Sequence, residues 1–427
     1  MRSVTRREFL TGAAAGAGML LLPSVPAFAK KSKRTINIFT QAGATWTTFM
    51  KAMAPRFTRE TGIGVTFTEI PYPSMYEATQ LGLISAQHSP YDVVMMAEWI
   101  VTFASLGRLV PLDSIMTSKD KAGLYPASVH KCTYNGHVYG FPLSQSCEAL
   151  YVRTDLMKKA GVREPTVTRP WTWDEFLEAA KKMTKHPVYG YALKAARYTI
   201  SAYQFEDLSY QAGVGVNGIT NAADKVVLRS PGGFEAMRFY NGLRTSGVMP
   251  QGVLNFEETE IQTLFLEGSL AIAQNWNYMY SLAQTPSQSK VVGKFIAAPL
   301  PYKARQGVLI GGWQSTIPVS AQHQEEAMRW IRWISTPEMN LEMTLHYDPE
   351  PAWFSVLENP EVKLKLPYLA GVWSHMYKVG YAPLRAQQYN SVMLLMAGVQ
   401  QEVLTGAITP VQAIDSEANE ISGIIGT

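Results

Sequence analysis

Between residues 35 and 96 the chain reads TINIFT at 35–40, VTFTEI at 65–70 and DVVMM at 92–96, three strand-like runs separated by two helical ones. Trp46 to Thr61 carries Phe49, Met53 and Phe57 at helical spacing, and Met75 to Ala86 predicts a second helix. The third run is apolar at every position after Asp92, as a strand covered on both faces must be. The order βαβαβ with short connections predicts an open sheet flanked by helices, in which ligands gather at the carboxyl ends of the strands. Those ends are Gln41 to Trp46, Pro71 to Ser74 and Ala97-Glu98-Trp99.

Helix punctuation continues downstream. Thr172-Trp173-Asp174-Glu175 predicts a capping box that opens a helix running to Met183. Thr336-Pro337 and Thr409-Pro410 each put a capping residue before a proline at the first helical position, and Ser320 is expected to open the helix bearing Ala327, Trp330, Ile331 and Ile334. From Asn390 onward the pattern is mostly helical. Asn135-Gly136 reads as a two-residue type I′ hairpin turn, which sets Cys132 opposite Tyr139 rather than opposite Cys147. These are the two cysteines of the chain, and the sequence leaves open whether they form a disulfide or stay as buried thiols.

The 427 residues are too many for one ordinary domain, so two lobes are expected. Thr5-Arg6-Arg7-Glu8-Phe9-Leu10, the apolar core Ala13 to Leu22 and the small residues of Ala27-Phe28-Ala29 predict a twin-arginine export signal over 1–29. That core is short of the roughly 20 apolar residues a membrane anchor needs, and no cysteine follows it to carry a lipid. A mature chain beginning near Lys30 is expected to fold before it leaves the cytoplasm and to be free in the periplasm or secreted. The formal charge of +4 drops to +2 without Arg2, Arg6, Arg7 and Glu8, which excludes a nucleic-acid footprint.

Enzyme signatures fail. Gly213-Val214-Gly215-Val216-Asn217-Gly218 fits the dinucleotide pattern but lacks the leading strand, following helix and later acid, so a turn-rich loop is expected. There is no phosphate loop, no G-x-S-x-G and no H-x-x-x-H pair, and no cofactor or metal is expected. His130 and His137 flank the hairpin turn and are expected to be solvated. Glu206-Asp207 and Glu257-Glu258-Glu260 read as polar helix faces. A glycoside hydrolase remains open, because its two carboxylates need no local motif.

The order of Tyr91-Asp92-Val93-Val94, Leu106-Gly107-Arg108-Leu109-Val110-Pro111-Leu112-Asp113, Asn135-Gly136-His137-Val138-Tyr139-Gly140-Phe141-Pro142 and Leu150-Tyr151-Val152-Arg153-Thr154-Asp155-Leu156 resembles the extracellular solute-binding proteins of ABC importers. Trp171-Thr172-Trp173-Asp174-Glu175-Phe176, Phe265-Leu266-Glu267-Gly268-Ser269-Leu270-Ala271, Gly311-Gly312-Trp313 and Leu404-Thr405-Gly406-Ala407-Ile408-Thr409-Pro410 continue the pattern. The branch it resembles most binds sugars, oligosaccharides, polyols and glycosides. The resemblance implies an α/β, two-lobed type II periplasmic-binding fold, with lobe 1 over 30–143 and 297–342 and lobe 2 over 144–296 and 343–427. It also implies a monomer without catalysis that delivers solute to membrane permeases, with a partner ATPase supplying the energy.

By the same resemblance, Trp46, Trp99, Trp276 and Trp313 lie at ligand-loop positions, where a flat indole can bury the apolar face of a sugar ring. Glu98, Gln41, Tyr72, Tyr203 and Asn277 are candidates for the hydroxyls, and Gly311-Gly312 offers backbone amides at close approach. Ser144 to Cys147 is the expected first hinge crossing, with Gln145 and Ser146 as candidate contacts and Glu148 as a structural partner. Arg385 or Arg197 would bind an anionic group, which keeps a phosphorylated or sulfonated solute open. A polyamine held by carboxylates is a further alternative. Closure requires contacts from both lobes, since about 5.5 kcal/mol of differential affinity moves a 1:99 equilibrium to 99:1.

Overall fold

A computed structural model describes residues 34–84 and 88–426. The predicted signal over 1–29 and the end of the helix expected to reach Ala86 lie outside the described residues. The strands are β1 (Thr35–Gln41), β2 (Gly64–Ile70), β3 (Val93–Met96), β4 (Thr133–Tyr134), β5 (His137–Val138), β6 (Phe141–Pro142), β7 (Glu148–Arg153), β8 (Ile272–Trp276), β9 (Phe295–Ala298) and β10 (Gln314–Thr316). They form a five-stranded sheet in the order β2-β1-β3-β10-β6, a three-stranded sheet in the order β8-β7-β9, and the β4-β5 hairpin.

In the first sheet, β1 runs parallel to both β2 and β3, with Thr35 beside Gly64 and Ile38 beside Val93. The helices Thr45–Thr61, Tyr72–Ile84 and Ile100–Ser105 follow the three strands in turn, so the predicted βαβαβ unit is present. All four residues of β3 are buried, matching its unbroken apolar run. Strand β10 enters antiparallel between β3 and β6. In the second sheet, β7 is central and antiparallel to both neighbours, with all six residues buried.

The Asn135-Gly136 turn adopts the positive φ values of a type I′ hairpin, 46° and 82°, and the Tyr139 amide donates to the Cys132 carbonyl. Both cysteines are free and buried. Thr172, Thr336 and Thr409 cap their helices as expected. Ser320 does not: its helix begins at Gln324, and the His323 amide before it is satisfied instead by the Asp92 carboxylate at 3.0 Å.

Two of the expected boundaries fall within regular structure. Strand β9 pairs with β7, so the chain is still part of the second sheet at Ala298 rather than leaving it at 297. It rejoins the first sheet at Gln314, after Ala304 and Arg305 donate to the Gln211 carbonyl. The boundary expected at 343 falls inside the helix Pro337–His346, and Trp353 still bridges to Leu124.

Candidate functional site

Three segments cross between the sheets side by side. Leu143 and Ser144 donate to the Trp313 carbonyl, Trp313 donates back to Ser144, and Gly311 donates to Ser146 at 2.9 Å. The Gln145 amide donates to the Glu350 carbonyl, which ties in the third segment. Gly312 has a φ of 99°, and a Cβ there would lie 2.4 Å from the Ser144 carbonyl oxygen. A Cβ on Gly311 would strike the Trp276 ring at 2.8 Å. The glycine pair therefore lets two crossings and an indole share one space. Beneath them the buried Lys131 ammonium donates to the Gly311 and Gly312 carbonyls at 2.9 and 3.2 Å.

On the first-sheet side, the carboxyl ends of β1, β2 and β3 present Trp46, Tyr72 and Trp99, each at or beside a helix start. Trp313, arriving along the second crossing, packs against all three. Its ring centroid lies 4.7 Å from that of Trp46, 5.9 Å from Tyr72 and 6.1 Å from Trp99. Tyr76 closes the far edge at 5.9 Å from Trp99. The Trp99 indole nitrogen is buried without a hydrogen-bond partner.

On the second-sheet side, Trp276 ends β8 with its ring edge-on to Tyr203 at 6.4 Å. The Lys194 ammonium lies 5.9 Å over the Trp276 ring and pairs with Glu148, both buried. From there a closed polar circuit runs through the helix Ser201–Gln211. Gln274 donates to Glu148, Tyr191 donates to Gln274, Gln204 donates to Tyr191, and the Lys194 amide donates to Gln204. Asp207 accepts from the Leu309 amide and the Tyr381 hydroxyl, and burial next to Glu148 pushes its pKa up to about 8.

The two sides meet. Tyr203 donates to Glu98 at 3.2 Å and accepts from Tyr389 at 2.9 Å, while the Tyr72 hydroxyl interacts with those of Thr199 and Tyr203. Glu258 accepts from the Trp276 indole at 3.4 Å. Burial raises the Glu98 carboxyl above its usual range, against the pull of Lys131, and raises Glu258 against that of Lys194. Aromatic faces bounded by carboxylate acceptors and hydroxyls can hold a ring with an apolar face and hydroxyls at its rim.

The family of bacterial extracellular solute-binding proteins matches residues 41–341. The chain belongs to this family. It is 23% identical over 392 residues to a probable ABC transporter-binding protein of Deinococcus radiodurans, over 88% of this chain and 90% of that one. Maltose-bound MalE3 of T. maritima aligns with a TM-score of 0.81 at 24% identity, over 91% of this chain and 99% of that one. A solute-binding protein of Agrobacterium radiobacter K84 in complex with ribitol aligns at 0.79 and 22% identity, over 92% and 98%. The fold is the type II periplasmic-binding fold, two lobes of α/β structure joined by crossing segments.

Within this solute-binding protein the residues singled out in the sequence separate into groups. Trp46, Tyr72, Glu98, Trp99, Tyr203, Trp276 and Trp313 come together where the lobes face each other, with Gly311, Gly312 and Ser146 on the crossings beside them. Gln41 lies at the end of β1, and its backbone carbonyl accepts from Thr47. The Gln145 side chain is fully buried and accepts from Ser128, while Asn277 donates to the Pro349 carbonyl, so both hold the crossings. Arg385 is not in the aromatic wall: it donates to the Thr133 carbonyl at 2.5 Å and meets His130 at 3.1 Å. Arg197 is exposed beside Gly398 of the helix Tyr389–Thr405.

Glu206 and Asp207 correct the expectation of a polar face, since both are buried and every residue of their helix but Tyr210 is buried with them. Lys131, Lys194, Thr199, Tyr389 and the role of Glu258 were missed. Lys194 left a trace, as a lysine inside the apolar run Tyr191-Ala192-Leu193-Lys194-Ala195 has to be paired. Among the described residues no cluster of ligating side chains could hold a metal, and no helix is long and apolar enough to cross a membrane.

Proposed function

We propose that this solute-binding protein captures a sugar, polyol or glycoside between its lobes and delivers it, without turnover, to the membrane permease of an ABC importer. In this reading the chain leaves the cytoplasm by the twin-arginine route and works in the periplasm as a monomer. The supporting observation is the wall of Trp46, Tyr72, Trp99 and Trp313 facing Trp276 and Tyr203, with Glu98 and Glu258 at its margins. Each indole that covers a sugar face buries roughly 150–250 Å², worth several kcal/mol at about 25 cal/mol/Å² before ordering costs. The maltose and ribitol complexes of similar folds agree with that chemistry. An anionic solute loses its carriers, because Arg385 is engaged with the hairpin and Arg197 is exposed.

Thermal-shift screening of the mature chain against sugars, polyols and phosphorylated or sulfonated glycosides tests this, since a ligand stabilises by RT ln(1 + [L]/Kd). A neutral or amino-bearing carbohydrate should raise Tm, change tryptophan fluorescence and be recovered unchanged after long incubation. Stabilisation by anionic solutes alone, or hydrolysis of the bound glycoside, would overturn the proposal.

A further inference from the structure

We propose that the preferred solute carries a protonated amino group on its sugar or polyol frame, held between Glu98 of the first lobe and Glu258 of the second. This rests on the carbohydrate reading above and narrows it. The two carboxylates come from opposite sides and converge through a short chain of contacts. Tyr203 donates to Glu98, its ring is 6.4 Å from that of Trp276, and the Trp276 indole donates to Glu258. Burial first, and then the charges of Glu98 and Glu258, raise the pKa of the Tyr72 hydroxyl, which itself interacts with that of Tyr203.

Among the described residues, no basic side chain forms an ion pair with either of them. Two buried lysines act on them without pairing, Lys131 on Glu98 and Lys194 on Glu258, while Lys131 donates to the Gly311 and Gly312 carbonyls and Lys194 pairs with Glu148. Closing the lobes therefore takes two acids out of water with only a shared counter-charge for each, Lys131 serving Glu98 and Glu350 and Lys194 serving Glu258 and Glu148, which is costly. A neutral solute leaves protonation as the relief, in line with the raised Glu98 and Glu258 carboxyls. An ammonium group on the solute supplies the missing charge at neutral pH instead. The surroundings favour it, because the two carboxylates at the margins of the aromatic wall accept its N–H donors. The hydroxyl-bearing frame remains necessary: Tyr72, Thr199 and Tyr203 are neutral partners suited to alcohols, and a bare polyamine would leave them unpaired.

The test is calorimetric titration of the full mature chain at pH 7 with matched pairs: amino sugars, their N-acetyl forms and the parent sugars, across monosaccharides and disaccharides, with spermidine as a separate arm. The amino member should bind about tenfold or more tightly than both neutral partners. Glu98→Gln and Glu258→Gln should each erase most of that preference, with an unliganded Tm that reports on folding. Neutral sugars binding as tightly as their amino counterparts would overturn this inference and leave the carbohydrate reading standing. Spermidine binding while every sugar fails, or no binding by any member, would overturn the carbohydrate reading and the inference with it. A preference unchanged in both variants would overturn the assignment to Glu98 and Glu258.

Discussion

The first lobe meets the proposed solute cleft with aromatic rings packed tilted and edge to face and few hydrogen bonds, whereas the second meets it with one indole resting on a buried circuit of charges and amides. Trp46, Tyr72, Trp99 and Trp313 touch ring to ring, and the Trp99 nitrogen has no partner at all. Trp276 instead lies above Lys194, whose pairing with Glu148 is shared by Gln274, Tyr191 and Gln204. A wall of dispersion contacts loses one ring at a time and degrades gradually. A closed polar circuit leaves a charge stranded when one member goes, so it fails as a unit. The lobes should therefore respond to mutation in opposite ways: the first in affinity, the second in stability.

Lys194→Met is the severest test of that difference. The side chain is fully buried, and its removal strands the Glu148 carboxylate next to Asp207. A loss of about 3–5 kcal/mol is expected in chemical denaturation, as for other broken buried pairs. A loss below about 1 kcal/mol would mean that water reaches Glu148 and that the circuit is not closed.

The pH dependence of stability sharpens the same point. Asp207 is buried, and its folded pKa of about 8 stands above that of an unfolded aspartate. Its contribution is therefore complete below about pH 4 and is lost as pH rises to about 8, because the folded state holds a proton that the unfolded one releases. Wild-type stability should fall by about 3–4 kcal/mol between pH 5 and 8, and Asp207→Asn should flatten the curve while preserving an acceptor for the Leu309 amide and Tyr381. Parallel curves for the two proteins would place the proton elsewhere.

The same division explains what could be seen in the sequence. The first lobe's strands alternate or run apolar, its aromatic residues follow the strand ends directly, and short-range pattern suffices to find them. Glu98 and Trp99 needed nothing beyond the position of DVVMM. The second lobe draws Lys194, Gln204, Asp207, Glu148 and Gln274 from four separate segments, and no local spacing links them. Glu206 and Asp207 looked solvated because charge in a helix ordinarily is, and only the packing around Ser201–Gln211 reverses that. Hinge geometry fell between the two. Gly311-Gly312 and Gln145 were located, yet the direction of the Gln145 side chain, toward Ser128, depends on an element 17 residues away.

Trp276→Ala probes the place where the two materials meet. The ring is partly exposed, packs over Gly311 and covers Lys194, so its loss removes a proposed ligand surface and uncovers the circuit beneath. Affinity for the solute found by screening should drop more than about tenfold by calorimetry, with a smaller change in Tm than Lys194→Met produces. Affinity that survives the truncation would shift the ligand wholly onto the first-lobe wall.

Arg385 should give the smallest effect and the most specific one. It follows Tyr381, which donates to Asp207 on the side of the buried circuit, but itself donates to Thr133 of the β4-β5 hairpin and faces His130 just before it, so its contacts tie the hairpin to that side. Arg385→Met should leave stability nearly unchanged and weaken solute binding by about two- to fivefold, the scale of a partly exposed hydrogen bond of about 0.5–1 kcal/mol. Burial and the Arg385 charge both lower the His130 pKa, with Asp224 opposing them. The closed state thus prefers the neutral imidazole: its advantage holds above the open-state value and is lost as pH falls through the closed-state one. Acidification should weaken binding by the wild-type chain more than by Arg385→Met. An identical pH profile for the two would show that the arginine braces the hairpin without reporting on closure.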